Sequence, residues 1–305
     1  MAGSLRAGVI GAGVFGGRHA AKYAQMSGVR LTAVNDPHPD RAAALARRFA
    51  ASPFDDLAAF LEAVDIVSVA SPASAHAPAA LAALAAGKHV YVEKPIATCL
   101  EDADAIVAAA REGGLVAACG FLERAVFKAI GLLDIGEPPR RLEAERLGPP
   151  ARRNLDVSVV LDLMIHDLDL ALCLTRADPL TVEASGACVA NSLLDEAEAE
   201  IDFDGGFTVR ARASRVASGP ARTMKLVYPS GQITIDFLTH AFENTTPFLL
   251  DCAYDSTPAG HDRLGASLAA FVAAVRNQTS VPLADAEDGA RALDLALAVE
   301  QAVGR

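Results

Sequence analysis

Short apolar runs alternate with longer Ala-rich stretches of helical periodicity over the first 120 residues. The apolar runs are short and β-branched, as buried parallel strands are. One Ala-rich stretch, 77–86, has Pro78 in its first turn and Gly87 directly after its end, which is typical of a helix. The alternation predicts an α/β fold with a doubly wound parallel sheet, helices on both faces and right-handed crossovers. The predicted strands are 5–10, 31–35, 66–70, 90–92 and 115–119.

In the second half of the chain the pattern changes to an alternation of period two. Apolar and polar residues change places at every position of 207–213, and Asp204-Gly205-Gly206 before it is typical of a hairpin turn. Asp285 and Asp288 have the spacing of a weak capping box. This pattern predicts an α+β domain whose mostly antiparallel sheet buries one face. Further strands are predicted at 141–147, 180–189, 198–203, 224–228 and 233–238, and helices near 121–133, 160–175, 262–276 and 286–302.

The length and composition of the chain indicate two domains and argue against several classes of protein. The chain has 305 residues, enough for two domains, and we place these at 1–120 and 121–305. Its net charge of −11 disfavours a nucleic-acid partner, and it contains no apolar run of about 18 residues that would predict a membrane span. The N-terminal residues lack a signal-peptide pattern, so we expect a cytoplasmic protein. The scattered cysteines, odd in number and without a C-x-x-C pair, argue against disulfides and structural zinc: Cys99, Cys119, Cys173, Cys188 and Cys252.

A glycine motif, Gly11-Ala12-Gly13-Val14-Phe15-Gly16, follows the first predicted strand and begins a helical stretch. In such a motif the glycines permit a tight turn, close approach of a pyrophosphate, and packing of the helix on the strand. The helix N-terminal amides then face the phosphates. Asp36 ends the second predicted strand, where a carboxylate suits the ribose 2′-hydroxyl of NAD and repels the 2′-phosphate of NADP. A Gly-rich turn of another α/β protein fits the glycines alone, but their context predicts dinucleotide binding with NAD as cofactor.

Ionisable residues occur at two further places. Lys94 follows the strand 90–92, and parallel sheets bind ligands at the carboxyl ends of their strands, although this pattern alone fits a surface lysine better. Asp162, His166 and Asp169 recur at i, i+4 and i+7 of a predicted apolar helix, which places them on one stripe. Because unpaired buried charges are costly, this stripe either faces a cleft or pairs with arginines from neighbouring strands. A metal site is a weaker alternative, since no other His or Cys cluster supports it.

Together these motifs resemble those of the glucose–fructose oxidoreductase, inositol dehydrogenase and MocA-like (Gfo/Idh/MocA) family. The glycine motif, Glu93-Lys94-Pro95 and Asp162-x-x-x-His166-Asp167 stand in the order and spacing of that family. The resemblance covers essentially the whole chain and implies an NAD(P)-dependent dehydrogenase acting on CH–OH donors. Also similar are the loop 71–76, the segment 87–90 and the stretch 281–289.

The resemblance implies a role for each matched position. Lys94 and His166 would flank the hydroxyl being oxidised, with His166 as general base and Lys94 stabilising the developing alkoxide. Asp162, one helical turn away, would orient the imidazole. The domain 1–120 would bind NAD in a Rossmann fold, and 121–305 would bind substrate and mediate oligomerisation. The implied cofactor contacts are Gly11, Gly13, Val14, Phe15, Gly16, Asp36, Ser71, Pro72, His76, Glu93 and Lys94.

Two segments, 120–124 and 146–163, resemble a nucleotide-sugar branch of the family that oxidises the 3-hydroxyl of UDP-N-acetylglucosamine or its uronate. Five arginines and two glutamates lie within 140–153, a local charge of +3. Such a cationic arm could hold a diphosphate by bidentate contacts, or its arginines could pair with acidic neighbours in a solvated loop. The predicted substrate contacts are Glu123, Arg124, Arg146, Arg152 and Arg153.

The sequence therefore predicts a homo-oligomeric NAD-dependent dehydrogenase of a nucleotide sugar that needs no metal. A dehydrogenase of a free polyol or monosaccharide, such as an inositol, is the alternative among enzymes. A catalytically silent NAD-binding regulator is the alternative from another class, and reduction of a linear tetrapyrrole is disfavoured. The combination of Lys94, Asp162 and His166 argues against the silent protein, which has no need of it.

Overall fold

The computed structural model describes residues 3–150, 156–190, 192–277 and 280–304. The chain divides into two compact units. The first unit contains the residues up to Leu122 together with Leu264–Ala290, and the second contains Glu123–Arg263 and Arg291–Arg305. Over the described ranges, no helix has the length and apolar character that crossing a bilayer requires.

The first unit is built on a six-stranded sheet. Its strands are β1 (Leu5–Ile10), β2 (Val29–Asn35), β3 (Ser52–Phe54), β4 (Ile66–Val69), β5 (His89–Val92) and β6 (Ala117–Cys119). All neighbours pair in parallel, in the order β3-β2-β1-β4-β5-β6, which is the order of a dinucleotide-binding fold. This confirms the predicted doubly wound sheet. The connecting helices are α1 (Val14–Gln25), α2 (Pro39–Arg48), α3 (Leu57–Glu62), α4 (His76–Ala85) and α5 (Leu100–Gly113).

The second unit contains a seven-stranded sheet. Its strands are β7 (Arg141–Leu147), β8 (Pro179–Ala187), β9 (Glu196–Phe203), β10 (Thr208–Ser214), β11 (Ala221–Tyr228), β12 (Gly231–Asp236) and β13 (Phe242–Asn244). In the order β13-β12-β11-β7-β10-β9-β8, only the β7–β10 pair is parallel, which confirms a mostly antiparallel sheet.

The two faces of this sheet differ in polarity. In β7, Leu142, Ala144 and Arg146 are buried on what we call the inner face. The alternate residues form the outer face, where Glu145 pairs with Arg212 of β10 at 3.5 Å. A homo-oligomer built on this outer face stays a prediction, and so does the alternative that the face is in contact with water only.

The helices of the second unit depart from the sequence pattern at one point. Those that lie wholly within it are α6 (Glu123–Ile130), α7 (Ile165–Thr175) and α8 (Pro258–His261). The predicted helix 160–175 is not continuous, because Val160–Met164 form a π-helical turn ahead of α7. The turn closes with a hydrogen bond between residues five apart rather than four, which shifts the helical phase between Asp162 and His166. The prediction of one continuous α-helix over 160–175 is therefore wrong at its first turn, and the common stripe of Asp162, His166 and Asp169 stays a prediction.

The packing of α9 (Arg263–Arg276) corrects the predicted domain boundary. Its residues Leu268 and Phe271 are buried in the hydrophobic core of the first unit, where the Phe271 ring lies edge-on to that of Tyr91. The assignment of all of 121–305 to the second domain is therefore wrong for the stretch that begins at Leu264. The apolar pattern of a helix predicts that one face is buried but does not specify the core that it enters.

The final helix, α10 (Ala286–Val303), begins at the predicted capping box. The amide of Asp285 donates to the Asp288 carboxylate at 3.0 Å, and the amide of Asp288 donates to the Asp285 carboxylate at 2.9 Å. This reciprocal pair satisfies two amides at the helix start and confirms the capping prediction.

Asp195 and Arg215 form a buried ion pair that fixes the loop before β9. Nε of Arg215 donates to Oδ1 of Asp195 at 2.8 Å, and Nη1 donates to the carbonyl oxygen of Val157 at 2.9 Å. Oδ2 of Asp195 accepts the amides of Val189 and Ala190. Each charge is thus both paired and hydrogen-bonded, so loss of either partner leaves the other desolvated and unmatched.

We expect Asp195→Ala to lower the free energy of unfolding of the second unit by about 3–5 kcal/mol, because it leaves the buried Arg215 guanidinium without its counter-charge. Urea denaturation of the full chain measures this loss. The matched control is Arg210→Gln, which removes an exposed pair with Glu198 and should cost less than about 1 kcal/mol. Equal losses in the two variants would contradict the prediction.

Candidate functional site

The glycine motif forms the turn between β1 and α1. Gly11 has a φ of 98°, and a Cβ there would lie 2.7 Å from the carbonyl oxygen of Ala70. A Cβ at Gly16 would collide with the carbonyl oxygen of Gly11, so the third glycine lets the helix pack against the turn. A Cβ at Gly13 would meet nothing within 4 Å, which leaves the space beside the first amides of α1 open to a phosphate.

Asp36 lies directly after β2, at the rim of this turn. Its Oδ2 accepts the amide of Ala12 at 2.7 Å, and its Oδ1 accepts the amide of His38 at 2.8 Å. The structure thus places this carboxylate beside the glycine turn, as a ribose contact requires. Of the other predicted cofactor contacts in the motif, Val14 is exposed at the start of α1, and Phe15 is half-buried beneath the guanidinium of Arg18.

The loop after β4 contains Ser71, Pro72 and His76. The buried His76 ring places Nδ1 at 2.7 Å from the carbonyl oxygen of Pro95 and Nε2 at 2.9 Å from that of Ser71. Burial lowers the pKa of His76. This histidine therefore ties the loop to the segment after β5, so that Ser71 and Lys94 lie in connected parts of the first unit.

Glu93 and Lys94 follow β5, and the carboxylate of Glu93 is buried. Its Oε1 lies 2.8 Å from Nε2 of His19 on α1, and Nδ1 of His19 lies 2.9 Å from the Ser68 hydroxyl, which also contacts Tyr23. Burial alone would raise the pKa of Glu93, but the hydrogen bond from His19 and the charges of His19 and Lys94 hold it below its usual value.

Glu93 was expected to contact the cofactor, and that contact stays a prediction. Its carboxylate is paired with His19, which links α1 to the segment that carries Lys94. Sequence reasoning missed His19, although it lies three residues after Gly16 on the first helix, where a polar side chain facing the sheet needs a partner.

His166 lies in the first turn of α7 and faces Glu123. Nδ1 of His166 is 3.0 Å from Oε2 of Glu123, and Oε1 of Glu123 accepts Nη1 of Arg146 at 3.0 Å. Burial alone would raise the pKa of Glu123, but the charges of His166 and Arg146 hold it well below its usual range. Nδ1 of His166 and Oε2 of Glu123 lie at ion-pair distance without forming a hydrogen bond, so the ionised carboxylate acts on the imidazole through its charge.

Glu123 is buried, and its carboxylate lies beside the imidazole. Its contact with substrate stays a prediction, as does the role of Asp162 in orienting the imidazole. Asp162 itself is buried in the π-helical turn. The resemblance ran along the chain, so it could not show that α6 brings its first residue to the first turn of α7.

Two of the four arginines predicted to bind substrate form interior ion pairs instead. Arg146 is only 2% exposed, and its Nε donates to Asp167 at 2.9 Å. Arg124 holds Asp169 with two bonds of 2.9 and 2.6 Å. The assignment of Arg124 and Arg146 as substrate contacts is therefore wrong, because each guanidinium is buried and paired with a carboxylate of α7. The expected pairing of the stripe with arginines from neighbouring strands is not what Asp169 shows, because its partner Arg124 lies on α6. Asp167, which was not part of the predicted stripe, pairs with Arg146 of β7.

Arg152 and Arg153, the other two arginines predicted to bind substrate, lie outside the described residues. Within the described part of the chain, no three His, Cys, Asp or Glu side chains are grouped as a metal ion requires. Each unit thus carries its own part of the predicted chemistry. The first has the dinucleotide turn, Asp36 and Lys94, and the second has a histidine held by an ionised carboxylate.

Comparisons with known proteins agree with this division. Residues 5–121 match the family model described as an oxidoreductase family with an NAD-binding Rossmann fold, and residues 140–234 match the Gfo/Idh/MocA C-terminal domain. The UDP-N-acetylglucosamine 3-dehydrogenase of Acidithiobacillus ferrooxidans is 38% identical, with 98% of this chain and 97% of that protein covered. A solved structure of that enzyme superposes with a TM-score of 0.89 at 37% identity, covering 98% and 97% of the two chains.

A more distant relative has a different named substrate. The scyllo-inositol 2-dehydrogenase (NAD⁺) of Bacillus subtilis is 28% identical over 79% of this chain and 76% of its own. Both relatives are dehydrogenases, and the two family models together span both units of the fold. The expected family, enzyme class and NAD cofactor are therefore confirmed: the protein belongs to the Gfo/Idh/MocA family of NAD-binding oxidoreductases.

Proposed function

We propose that the protein oxidises a secondary hydroxyl of a nucleotide sugar, the 3-hydroxyl of a UDP-N-acetylglucosamine-type substrate. The observation that carries this proposal is the 38% identity to a UDP-N-acetylglucosamine 3-dehydrogenase over nearly the full length of both chains. The His166–Glu123 contact supports the chemistry, because alcohol oxidation needs a base for the hydroxyl proton.

In this mechanism Nε2 of His166 accepts the hydroxyl proton while Nδ1 stays protonated against Glu123. The Glu123 carboxylate stabilises the imidazolium that forms, and Arg146 keeps that carboxylate ionised. Lys94 stabilises the developing alkoxide by its charge. The glycine turn and Asp36 would hold NAD, which supplies the hydride acceptor when bound.

A substrate panel tests the proposal directly. With NAD and the intact protein, UDP-N-acetylglucosamine should give NADH, followed by absorbance, with a kcat/KM at least tenfold above that for scyllo- or myo-inositol. A higher kcat/KM for an inositol would contradict the nucleotide-sugar proposal and show that the protein is a polyol dehydrogenase. Absence of turnover with every sugar and polyol would favour the silent regulator.

Replacing His166 by Ala should lower kcat by about two to four orders of magnitude, because the hydroxyl proton loses its acceptor. Glu123→Gln should lower kcat by a smaller factor, since the imidazolium loses its counter-charge while the base remains. The affinity for NAD, titrated by calorimetry, should be unchanged in both variants. Full turnover in His166→Ala would show that another group takes the proton.

Asp36 generates a prediction about the cofactor. Asp36→Asn keeps an oxygen for the amide of Ala12 but removes the charge that repels a 2′-phosphate, so the ratio of kcat/KM for NADP to that for NAD should rise about 10–100-fold. The exposed Asp104 on α5 offers a control of equal charge change, and Asp104→Asn should leave the ratio unaltered. An unaltered ratio in Asp36→Asn would remove this residue from cofactor selection.

A further inference from the structure

A row of arginines crosses the inner face of the second unit's sheet. Arg222 of β11 pairs in register with Arg146 of β7, and residues directly opposite each other on paired strands share a face. On the other side of Arg222 lies Phe237, whose amide donates to the Arg222 carbonyl oxygen at 2.8 Å. The guanidinium of Arg263 stands over the Phe237 ring, 5.8 Å from its centroid.

The three guanidinium groups differ in how they are neutralised. Arg146 is matched by Glu123 and Asp167. Among the described residues, no carboxylate is hydrogen-bonded to Arg222 or Arg263 or lies within ion-pair distance of either. Arg222 is nevertheless half-buried, and removal of a cation from water without a counter-charge is costly.

The charges around Arg222 add to this cost. Burial lowers the pKa of Arg222, and the like charges of Arg146 and Arg263 lower it further, against the opposing effect of Glu123 and Asp167. In addition, Nη2 of Arg146 is buried and makes no hydrogen bond to a described residue. The local structure therefore favours an added negative charge beside Arg222.

This position is linked to the proposed catalytic histidine. Arg146 contacts Glu123, and Glu123 contacts His166. Arg222 lies directly opposite Arg146 on the neighbouring strand. The proposed substrate class bears an oxyanion as well as the hydroxyl that would meet His166, either the diphosphate or, in a uronate, the ring carboxylate.

We propose that Arg222, with Arg263 beside it, forms an oxyanion subsite that binds the anionic substituent of the substrate. The inference rests on the proposed function for the identity of the sugar, but not for the existence of the subsite. A guanidinium suits both candidate anions, because its donors bind phosphate and carboxylate oxygens in pairs.

The test compares Arg222→Gln with Arg222→Lys and with a matched control. We expect Arg222→Gln to raise KM for UDP-N-acetylglucosamine about 10–100-fold with kcat changed less than threefold, since binding rather than chemistry is lost. Arg222→Lys should recover part of the loss by restoring the charge. Arg212→Gln, on the outer face, removes the same charge and should leave KM unchanged. A KM in Arg222→Gln equal to that of wild type would exclude the diphosphate as the anion bound there, because UDP-N-acetylglucosamine bears no carboxylate.

Direct binding separates this inference from the proposed function. Calorimetric titrations of the intact wild-type protein and each variant use UDP, inorganic pyrophosphate and glucuronate as probes. Weaker binding of UDP and pyrophosphate by Arg222→Gln assigns the subsite to a diphosphate, and weaker binding of glucuronate alone assigns it to a carboxylate. Equal affinities for all three probes in wild type and Arg222→Gln overturn the subsite, even if UDP-N-acetylglucosamine is a substrate. Loss of binding without any sugar turnover refutes the proposed reaction while the subsite stands.

Discussion

The Arg146 guanidinium, shared between Glu123 and Asp167, is the interaction on which the site of the second unit depends. It joins β7 to α6 and α7 and keeps two buried carboxylates from facing each other without a counter-charge. The two carboxylates respond in opposite ways. For Asp167 the effect of burial exceeds that of Arg146 and raises its pKa, whereas Glu123 also faces His166 and its pKa falls. The surroundings thus favour the ionised form more strongly for the carboxylate that lies beside the imidazole.

The first unit uses a comparable device for another purpose. His19 and Glu93 form a buried pair between α1 and the end of β5, and Ser68 on β4 completes the set. Because the three groups come from separate elements, the pair fixes the position of the segment that carries Lys94. In both units a histidine meets a desolvated carboxylate. The side chain of His19 is fully buried, whereas that of His166, in the first turn of α7, is 14% exposed and can meet a ligand.

The sequence predicted what depends on local pattern and failed where tertiary packing decides. The glycine turn, the central strands and the capping box are encoded by spacing within a few residues. The edge strands β3 and β13 are three residues long, too short for a period to appear. The π-helical turn escapes a 3.6-residue pattern, because one added residue leaves the apolar character of the segment unchanged.

The arginines illustrate a signal that was present but not used. The net charge of 140–153 suggested a solvated cationic arm, yet Leu142, Ala144 and Arg146 alternate on one face of β7. The same parity runs through Met224, which places Arg222 on the corresponding face of β11. Charge counted over a window cannot distinguish the two faces of a strand, whereas the period of two can.

The return of α9 to the first core bears on how the polypeptide acquires its structure during synthesis. The backbone passes between the two units after Leu122, after Arg263 and again after Ala290, so the first unit is not a contiguous segment. Its core lacks Leu268 and Phe271 until synthesis has passed the strands of both sheets and reached α9. The nucleotide-binding half therefore cannot mature ahead of the other half, and excision of residues 1–122 would yield a fragment with an open apolar surface rather than an autonomous domain.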